Sequence, residues 1–173
     1  MPLSRPSLRV LSLNAHKGFT FFNRRFVLRE LRDAVRAVAA DLVFVQEVIG
    51  SHAHYAKRHK DWPATPQYEY LADTLWSDHA YGRNAVYPHG DHGNALLSRY
   101  PIRSHRNHAV SSAGNETRGF LHCVIDVAGA MVHTICVHLG LFERERRQQL
   151  DLLCRLIERE VPADAPLIVA GDF

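Results

Sequence analysis

Four side chains that could bind a metal ion or move a proton each follow a short apolar run. They are Asn14, Glu47, His138 and Asp172. Carboxylate and amide oxygens suit Mg²⁺, which keeps most of its waters and takes one or two carboxylates. A histidine beside such a site can accept or donate a proton. If these four residues meet in one cleft, they combine a cation site with a proton carrier.

The apolar runs before these residues predict how the four side chains are brought together. Short runs rich in β-formers indicate buried strands, and strands that lie side by side end along one edge of a sheet. The predicted strands are residues 8–14, 42–47, 93–98, 120–127, 131–138 and 167–171. The four polar residues stand at or next to strand ends, so we expect them to line the same edge.

Two longer segments have the spacing of amphipathic helices. Apolar side chains recur at helical intervals in residues 24–40 and 143–160, with Arg and Glu between them. Residues 52–60 and 70–78 could also be helical, whereas residues 81–84 are typical of a loop. The chain thus alternates strand, helix and strand before a run of further strands.

A short Ala128-Gly129-Ala130 link separates the last two strands before the second long helix. Such a link predicts a β-hairpin, so the sheet is at least partly antiparallel. A mixed sheet covered by helices predicts a layered α/β (α+β) domain.

Arg118 is a candidate for contact with a phosphate group. The Arg guanidinium is the preferred partner of phosphate oxygens, and Gly119 beside Arg118 allows a close backbone approach. Each candidate has a simpler interpretation when taken alone. Arg118 could be a surface arginine, Asn14 a turn residue, Glu47 a surface carboxylate and His138 a structural histidine.

Length and composition limit the classes of protein that this chain can belong to. Its 173 residues have room for one domain, and the formal net charge of +3 permits a phosphate-bearing partner without requiring one. No apolar run approaches the roughly 18 residues that span a bilayer. Three cysteines without a CxxC pair predict buried, reduced thiols, and a cytoplasmic location follows as the default. The twelve histidines form no recognisable zinc motif.

In their order along the chain, the motifs resemble those of the endonuclease/exonuclease/phosphatase superfamily, which has the deoxyribonuclease-I-like fold. The resemblance extends from Leu8 to Phe173. It includes LSLNAHKG, LVFVQE, HGNALLSRYPI, TRGFL, CVHLG and LIVAGDF, and it is strongest for a bacterial branch of incompletely characterised members.

The resemblance implies a four-layer α/β/β/α sandwich with mixed, mostly antiparallel sheets. Residues 1–173 would form the N-terminal portion of this single domain, because the family's Gly-Asp-Phe-Asn motif is interrupted after Phe173 and a later Ser-Asp-His motif is missing. We therefore expect the inner face of the sheet to lie exposed in this chain.

The resemblance also implies a role for each candidate residue in Mg²⁺-dependent cleavage of phosphoester bonds, with Mn²⁺ as a possible substitute. Glu47 would be the principal metal ligand, with Asn14 supporting both metal and phosphate. Asp172 would position or deprotonate the attacking water, and His138 would donate to a phosphate oxygen. Arg118 would hold the scissile phosphate, and Asn94 would support phosphate binding.

Three functions remain open from the sequence. The first is hydrolysis of nucleic acid, with DNA or RNA bound along a modest basic rim formed by Lys17, Arg24, Arg25, Arg99, Arg103, Arg106 and Arg118. The second is hydrolysis of a phospholipid or inositol-phosphate headgroup. The third is a non-catalytic, truncated domain that binds a partner through its unfinished sheet.

Overall fold

The computed structural model describes residues 7–110 and 117–173 and contains two four-stranded β-sheets. Its strands are β1 (Val10–Asn14), β2 (Leu42–His52), β3 (Asp78–Tyr87), β4 (Gly90–Ser98), β5 (Ile102–Ala109), β6 (Gly119–Val127), β7 (Ala130–His138) and β8 (Leu167–Asp172). Its α-helices are α1 (Leu28–Val38), α2 (Ala53–Arg58), α3 (Gln67–Ala72) and α4 (Glu143–Glu160). The connection from β1 to α1 also contains two short 3₁₀ turns.

Each sheet mixes parallel and antiparallel strands, as the sequence predicts. The strand orders are β1-β2-β4-β3 and β5-β6-β7-β8. Within the sheets, β1 pairs with β2 and β7 pairs with β8 in parallel, whereas the remaining neighbours are antiparallel. The predicted hairpin is confirmed as the antiparallel pair β6 and β7.

Three apolar clusters separate four layers of secondary structure. The first cluster packs α1 and α3 on the outer face of the β1–β4 sheet, and includes Leu28, Val45 and Trp76. The second lies between the sheets, and the third packs α4 on the outer face of the β5–β8 sheet. The four-layer α/β/β/α architecture expected from the resemblance is therefore present.

The second cluster shows that the expectation of an exposed inner sheet face is wrong. Phe44 and Leu96 of one sheet pack with Leu121 and Ile125 of the other, and all four are almost completely buried. The expectation assumed that this chain supplied only one sheet. In the structure, the predicted strands β6, β7 and β8 join β5 in a second sheet that covers the inner face of the first.

Some element boundaries differ from the sequence predictions. The helix predicted over residues 24–40 begins only at Leu28, and the segment predicted as helix over 70–78 is α3 followed by the start of β3. Residues 81–84, predicted as a loop, lie inside β3. The helix predicted over 52–60 is confirmed as α2.

The cysteines are unpaired, as predicted, but only two of them are buried. Cys123 and Cys136 lie between the sheets, whereas Cys154 is exposed on α4. Within residues 7–110 and 117–173, no helix is both long enough and apolar enough to cross a membrane.

Candidate active site

The structure brings the ends of three strands and a bulge in a fourth together at one edge of the sandwich. Asn14 ends β1, His138 ends β7 and Asp172 ends β8, while Glu47 lies on β2. Asn14 Nδ2 is 3.2 Å from Glu47 Oε1 and 3.3 Å from Asp172 Oδ2. His138 Nε2 is 3.7 Å from Glu47 Oε1 and 3.8 Å from Asp172 Oδ2. Asn14 and His138 therefore each lie close to both Glu47 and Asp172, and the four residues form one cluster.

A β-bulge directs Glu47 into this site. The pairing of β2 with β4 is interrupted between Val45 and Val48, and Glu47 has a φ of 51°. Bulges of this kind change the direction of a side chain in an otherwise regular strand. A positive φ is unfavourable for a residue with a Cβ, so the surrounding sheet must hold Glu47 in place.

A glycine allows β8 to lie close enough to β7 to position Asp172. Gly171 has a φ of +150°, and a Cβ there would lie 1.9 Å from the carbonyl oxygen of Val137. Because Asp172 pairs with His138 in the parallel register, this close approach places the carboxylate next to the imidazole. The Leu139 amide also donates to the Asp172 carbonyl at 2.8 Å.

The Asn14 amide orients the two carboxylates. Its Nδ2 group faces Glu47 and Asp172, and its Oδ1 atom accepts a hydrogen bond from the His16 backbone at 2.8 Å. The resemblance implied that Asn14 supports the metal, and an asparagine does so through its oxygen. In this arrangement the nitrogen faces the carboxylates, so Asn14 positions the acidic groups.

The Arg118 guanidinium contacts the His138 ring. Arg118 Nη1 is 2.6 Å from His138 Nδ1 and 2.7 Å from Nε2. The His138 side chain is 8% exposed, so its orientation is fixed by packing as well as by this contact. The permanent cation of Arg118 and the titratable imidazole of His138 therefore lie side by side, next to the carboxylates of Glu47 and Asp172.

The electrostatic environment keeps Glu47 ionised. Burial opposes the charged form, but the hydrogen bond from Asn14 and the positive potential of His138, Lys17 and His16 outweigh it, so the pKa of Glu47 lies below its usual value. The carboxylate is consequently available to a cation throughout the neutral range.

Sequence reasoning did not assign His16 and Lys17 to the site individually. His16 Nδ1 lies 3.5 Å from Glu47 Oε2, and Lys17 contributes to the potential at the same carboxylate. Their position two and three residues after Asn14 could have indicated this, because the chain turns immediately after β1.

Asn94 lies behind the site and is completely buried. Its amide donates to the carbonyl oxygens of Gly119 at 2.9 Å and Cys136 at 3.4 Å. The expectation that Asn94 supports phosphate binding stays a prediction, and the complete burial of its side chain restricts that support to an indirect one. Asn94 joins β4 to the start of β6, next to Arg118, and to β7, which ends at His138.

The predicted basic rim does not form one continuous surface. Arg99 pairs with Asp41 at the opposite end of β2, and Arg103 pairs with Asp126 at the opposite end of the β6–β7 hairpin. The reason is that β4 runs antiparallel to β2, which places the end of β4 far from Glu47. Lys17, Arg24 and Arg25 share the connection after β1, next to the site.

The donor set fits a hard divalent cation. Within the described ranges 7–110 and 117–173, no three His, Cys, Asp or Glu side chains are arranged as a complete metal site. Mg²⁺ does not need one, because it takes one or two carboxylates and fills its other positions with water and substrate oxygens. Glu47 and Asp172 supply two carboxylates, and Asn14 holds them on either side of its amide.

The fold is that of the endonuclease/exonuclease/phosphatase superfamily, the deoxyribonuclease-I-like class. Residues 11–173 match the model of the Endonuclease/Exonuclease/phosphatase family. The chain belongs to this family, which is generally hydrolytic and typically depends on a divalent metal. It is 56% identical over 169 residues to YbhP of Escherichia coli K12, an uncharacterised protein. That alignment covers 96% of this chain and 66% of YbhP, so the chain spans just under two thirds of its relative's length.

Two solved structures with different substrates share the fold. One is TDP2 of D. rerio in complex with a single-strand DNA product, with a TM-score of 0.61 and 20% identity over 95% of this chain and 60% of TDP2. The other is sphingomyelinase C from Streptomyces griseocarneus, with a TM-score of 0.65 and 18% identity over 97% of this chain and 64% of the enzyme. At these identities the similarity establishes the fold alone.

Proposed function

We propose that this protein hydrolyses phosphodiester bonds with the help of Mg²⁺. The observation that carries the proposal is the contact of Asn14 with both Glu47 and Asp172, beside the paired Arg118 and His138. Two acidic groups, a guanidinium and an imidazole thus converge on one open edge. The membership of the family supports the same reaction class.

Each residue of the site can serve a different part of the reaction. The guanidinium of Arg118 binds a non-bridging oxygen of the phosphate, which accumulates negative charge as the bond breaks. His138, 8% exposed and in contact with Arg118, donates a hydrogen bond or a proton to a phosphate oxygen. Asp172 has a 53% exposed side chain, so its carboxylate can orient an incoming water and accept its proton.

Glu47 and Asp172 are the residues that would hold the cation, oriented by Asn14. When bound, Mg²⁺ supplies Lewis-acid stabilisation of the developing negative charge. Mn²⁺ prefers the same oxygen ligands and is expected to substitute for it.

The reacting group is the same in both substrate classes that the sequence leaves open. DNA or RNA and a phospholipid headgroup each present a phosphodiester to the site. The convergence of the candidate residues favours an enzyme over a non-catalytic binding domain, because a binding surface has no need of two carboxylates held against an amide.

Hydrolysis of bis-p-nitrophenyl phosphate tests the proposal with a small soluble substrate. We expect turnover that requires Mg²⁺, stops with EDTA and falls by at least about 100-fold in Glu47→Gln, because a metal ligand is lost. Glu158→Gln on the exposed face of α4 is the matched control and should keep the original rate. Metal-independent turnover, or full activity of Glu47→Gln, would contradict the proposal.

A further inference from the structure

Two loops next to the site expose pairs of large apolar side chains. Phe21 and Phe22, in the connection after β1, are 74% and 71% exposed. Leu141 and Phe142, between β7 and α4, are 81% and 72% exposed. The loops leave the sandwich after Asn14 and His138, which both contact Glu47 at one edge, so the two loops begin beside the candidate active site.

The first tip is built on an anchored loop. The Val27 amide donates to the Gly18 carbonyl at 2.8 Å, and the Thr20 amide donates to the Arg25 carbonyl at 2.9 Å. At its base, Phe19 packs against an aromatic cluster that includes Phe26, Tyr55, His59 and Trp62. Only the turn between these contacts carries the exposed pair, so exposure follows from a fixed loop geometry.

The backbone of this turn holds the aromatic pair together in solvent. Phe22 has a φ of 61°, which is unfavourable for a bulky residue, and its ring centroid lies 4.2 Å from that of Phe21. Strained residues of this kind occur where the surrounding structure enforces them and are concentrated at functional positions.

The second tip is also fixed to the body of the protein. The Gly140 amide donates to the buried Gln149 side chain at 2.7 Å, and Arg146 donates to the Leu141 carbonyl at 2.5 Å. These bonds tie the start of α4 to the end of β7. Leu141 and Phe142 therefore project from an anchored segment.

Positive charge accompanies the first tip. Residues 15–29 contain Lys17, Arg24, Arg25 and Arg29 and no acidic residue, and one of these cations, Arg25, pairs with Glu30 at 3.4 Å. A cavity of about 670 Å³ adjoins the loop at Phe26, and its lining includes the four cations Arg29, Arg32, Arg58 and Lys60 against the two anions Glu30 and Asp61. The surface beside the apolar tip is thus complementary to an anionic partner.

We propose that the Phe21–Phe22 and Leu141–Phe142 tips dock the protein on an anionic phospholipid bilayer, so that its site acts on a phospholipid headgroup phosphodiester. This inference rests on the function proposed above and names its substrate class. Apolar side chains enter the interfacial region while flanking cations bind anionic headgroups.

The shape of the tips favours a bilayer over nucleic acid. A base stacks on the open face of an aromatic ring, but Phe21 and Phe22 contact each other at an interplanar angle of 58°. In the second tip, Leu141 has no aromatic face and Phe142 supplies a single exposed ring. Both tips instead present two adjacent apolar side chains. Such side chains can enter a bilayer interface without a particular ring orientation.

Vesicle flotation with the purified protein tests the docking surface. We expect binding to phosphatidylcholine vesicles that contain about one third phosphatidylglycerol, and weaker binding without the anionic lipid. Phe21→Ser/Phe22→Ser and Leu141→Ser/Phe142→Ser should each reduce binding at least about 10-fold. Met131→Ser, which removes an exposed apolar side chain at the opposite end of β7, is the control and should bind normally.

Two further measurements separate this inference from its alternatives. Thermal unfolding of each double variant should match that of the unsubstituted protein, because the changed side chains are exposed. The inference would be overturned if the protein did not bind vesicles, or if both double variants bound them as well as the unsubstituted protein does. It would also be overturned if the double variants lost binding only to a single-stranded DNA oligonucleotide. Glu47→Gln should still bind vesicles, so failure of bis-p-nitrophenyl phosphate hydrolysis with normal vesicle binding would reject the proposed reaction and keep the docking surface.

Discussion

His138 and Asp172 are register partners on adjacent parallel strands, and His138 Nε2 lies 3.8 Å from Asp172 Oδ2. Residues that end neighbouring parallel strands necessarily meet at one edge of a sheet. The pair therefore brings an imidazole and a carboxylate together through backbone pairing, without relying on a flexible loop. Asn14 and Glu47 complete the cluster from the other sheet.

Replacing Asn14 with Ala should weaken Mg²⁺ binding. The amide that orients Glu47 and Asp172 would be lost, and the two carboxylates would repel each other without a donor between them. Loss of such an orienting group typically lowers metal affinity 10–100-fold. Calorimetric titration with Mg²⁺ measures this change, with Gln148→Ala, which removes an exposed amide from α4, as control. Equal affinity in the two variants would show that Asn14 does not orient the site.

Replacing Gly171 with Ala should destabilise the fold. The added Cβ would meet the Val137 carbonyl at 1.9 Å, and the positive φ is itself unfavourable for alanine. We expect a loss of about 2–5 kcal/mol in the free energy of unfolding, measured with urea.

Gly129→Ala is the matched control for this prediction. Gly129 also has a positive φ, of +90°, but a Cβ there would contact nothing within 4 Å. Only the backbone penalty of about 1–2 kcal/mol should remain. Equal losses in the two variants would mean that contact with β7 is unimportant at Gly171.

The packing of the two sheets predicts a large effect of Phe44→Ala. Phe44 is fully buried between the sheets, and its truncation would leave a cavity there. A loss of about 3–5 kcal/mol is expected from urea unfolding. Val86→Ala on β3, where the side chain is 69% exposed, should change stability by less than about 0.5 kcal/mol. A small effect at Phe44 would show that the inner faces are not packed together.

Mild acid should destabilise the protein through His122. Burial lowers the pKa of His122, the nearby His133 and His108 lower it further, and Glu160 opposes the change. His122 Nε2 lies 2.9 Å from His133 Nδ1, and Arg106 lies opposite His122 on β5. Because the unfolded chain binds a proton more readily at this residue, stability is complete above the ordinary histidine pKa of about 6.5 and falls as the pH decreases through it.

Urea unfolding between about pH 8 and pH 5 measures this effect, since most carboxylates remain ionised in that window. His122→Gln removes the titrating group, so its stability should depend less on pH over the same range. If the free energy of unfolding of His122→Gln depends on pH as steeply as that of the unsubstituted protein, other groups cause the pH dependence.

The sequence predicted the strands that contain apolar runs and missed two edge strands, β3 and β5. The segments of β2, β6, β7 and β8 are predicted as strands because their apolar runs are nearly continuous. In contrast, β3 lies at one edge of the first sheet and β5 at one edge of the second, and both contain many polar side chains. Edge strands often carry such residues, which suppress unwanted pairing, and a polar edge strand resembles a loop in sequence.

The site was predictable to the extent that it depends on strand ends. Asn14, His138 and Asp172 follow from that rule, but the bulge that directs Glu47 has no sequence signal of its own. The burial of Asn94 was also hidden, because it depends on the second sheet packing over β4. The bonds from Asn94 to Gly119 and Cys136 arise from contacts between sheets that no local pattern records.

The left-handed backbone at Glu47 has a consequence for attempts to engineer this protein. Asn and Gly tolerate a φ near 50° better than Glu, so exchanging Glu47 for either would relieve strain at the bulge while removing the carboxylate. Selection for heat resistance alone would therefore favour loss of the proposed metal ligand. Laboratory evolution of this chain needs an activity screen at every round, because robustness and catalysis compete for the same position.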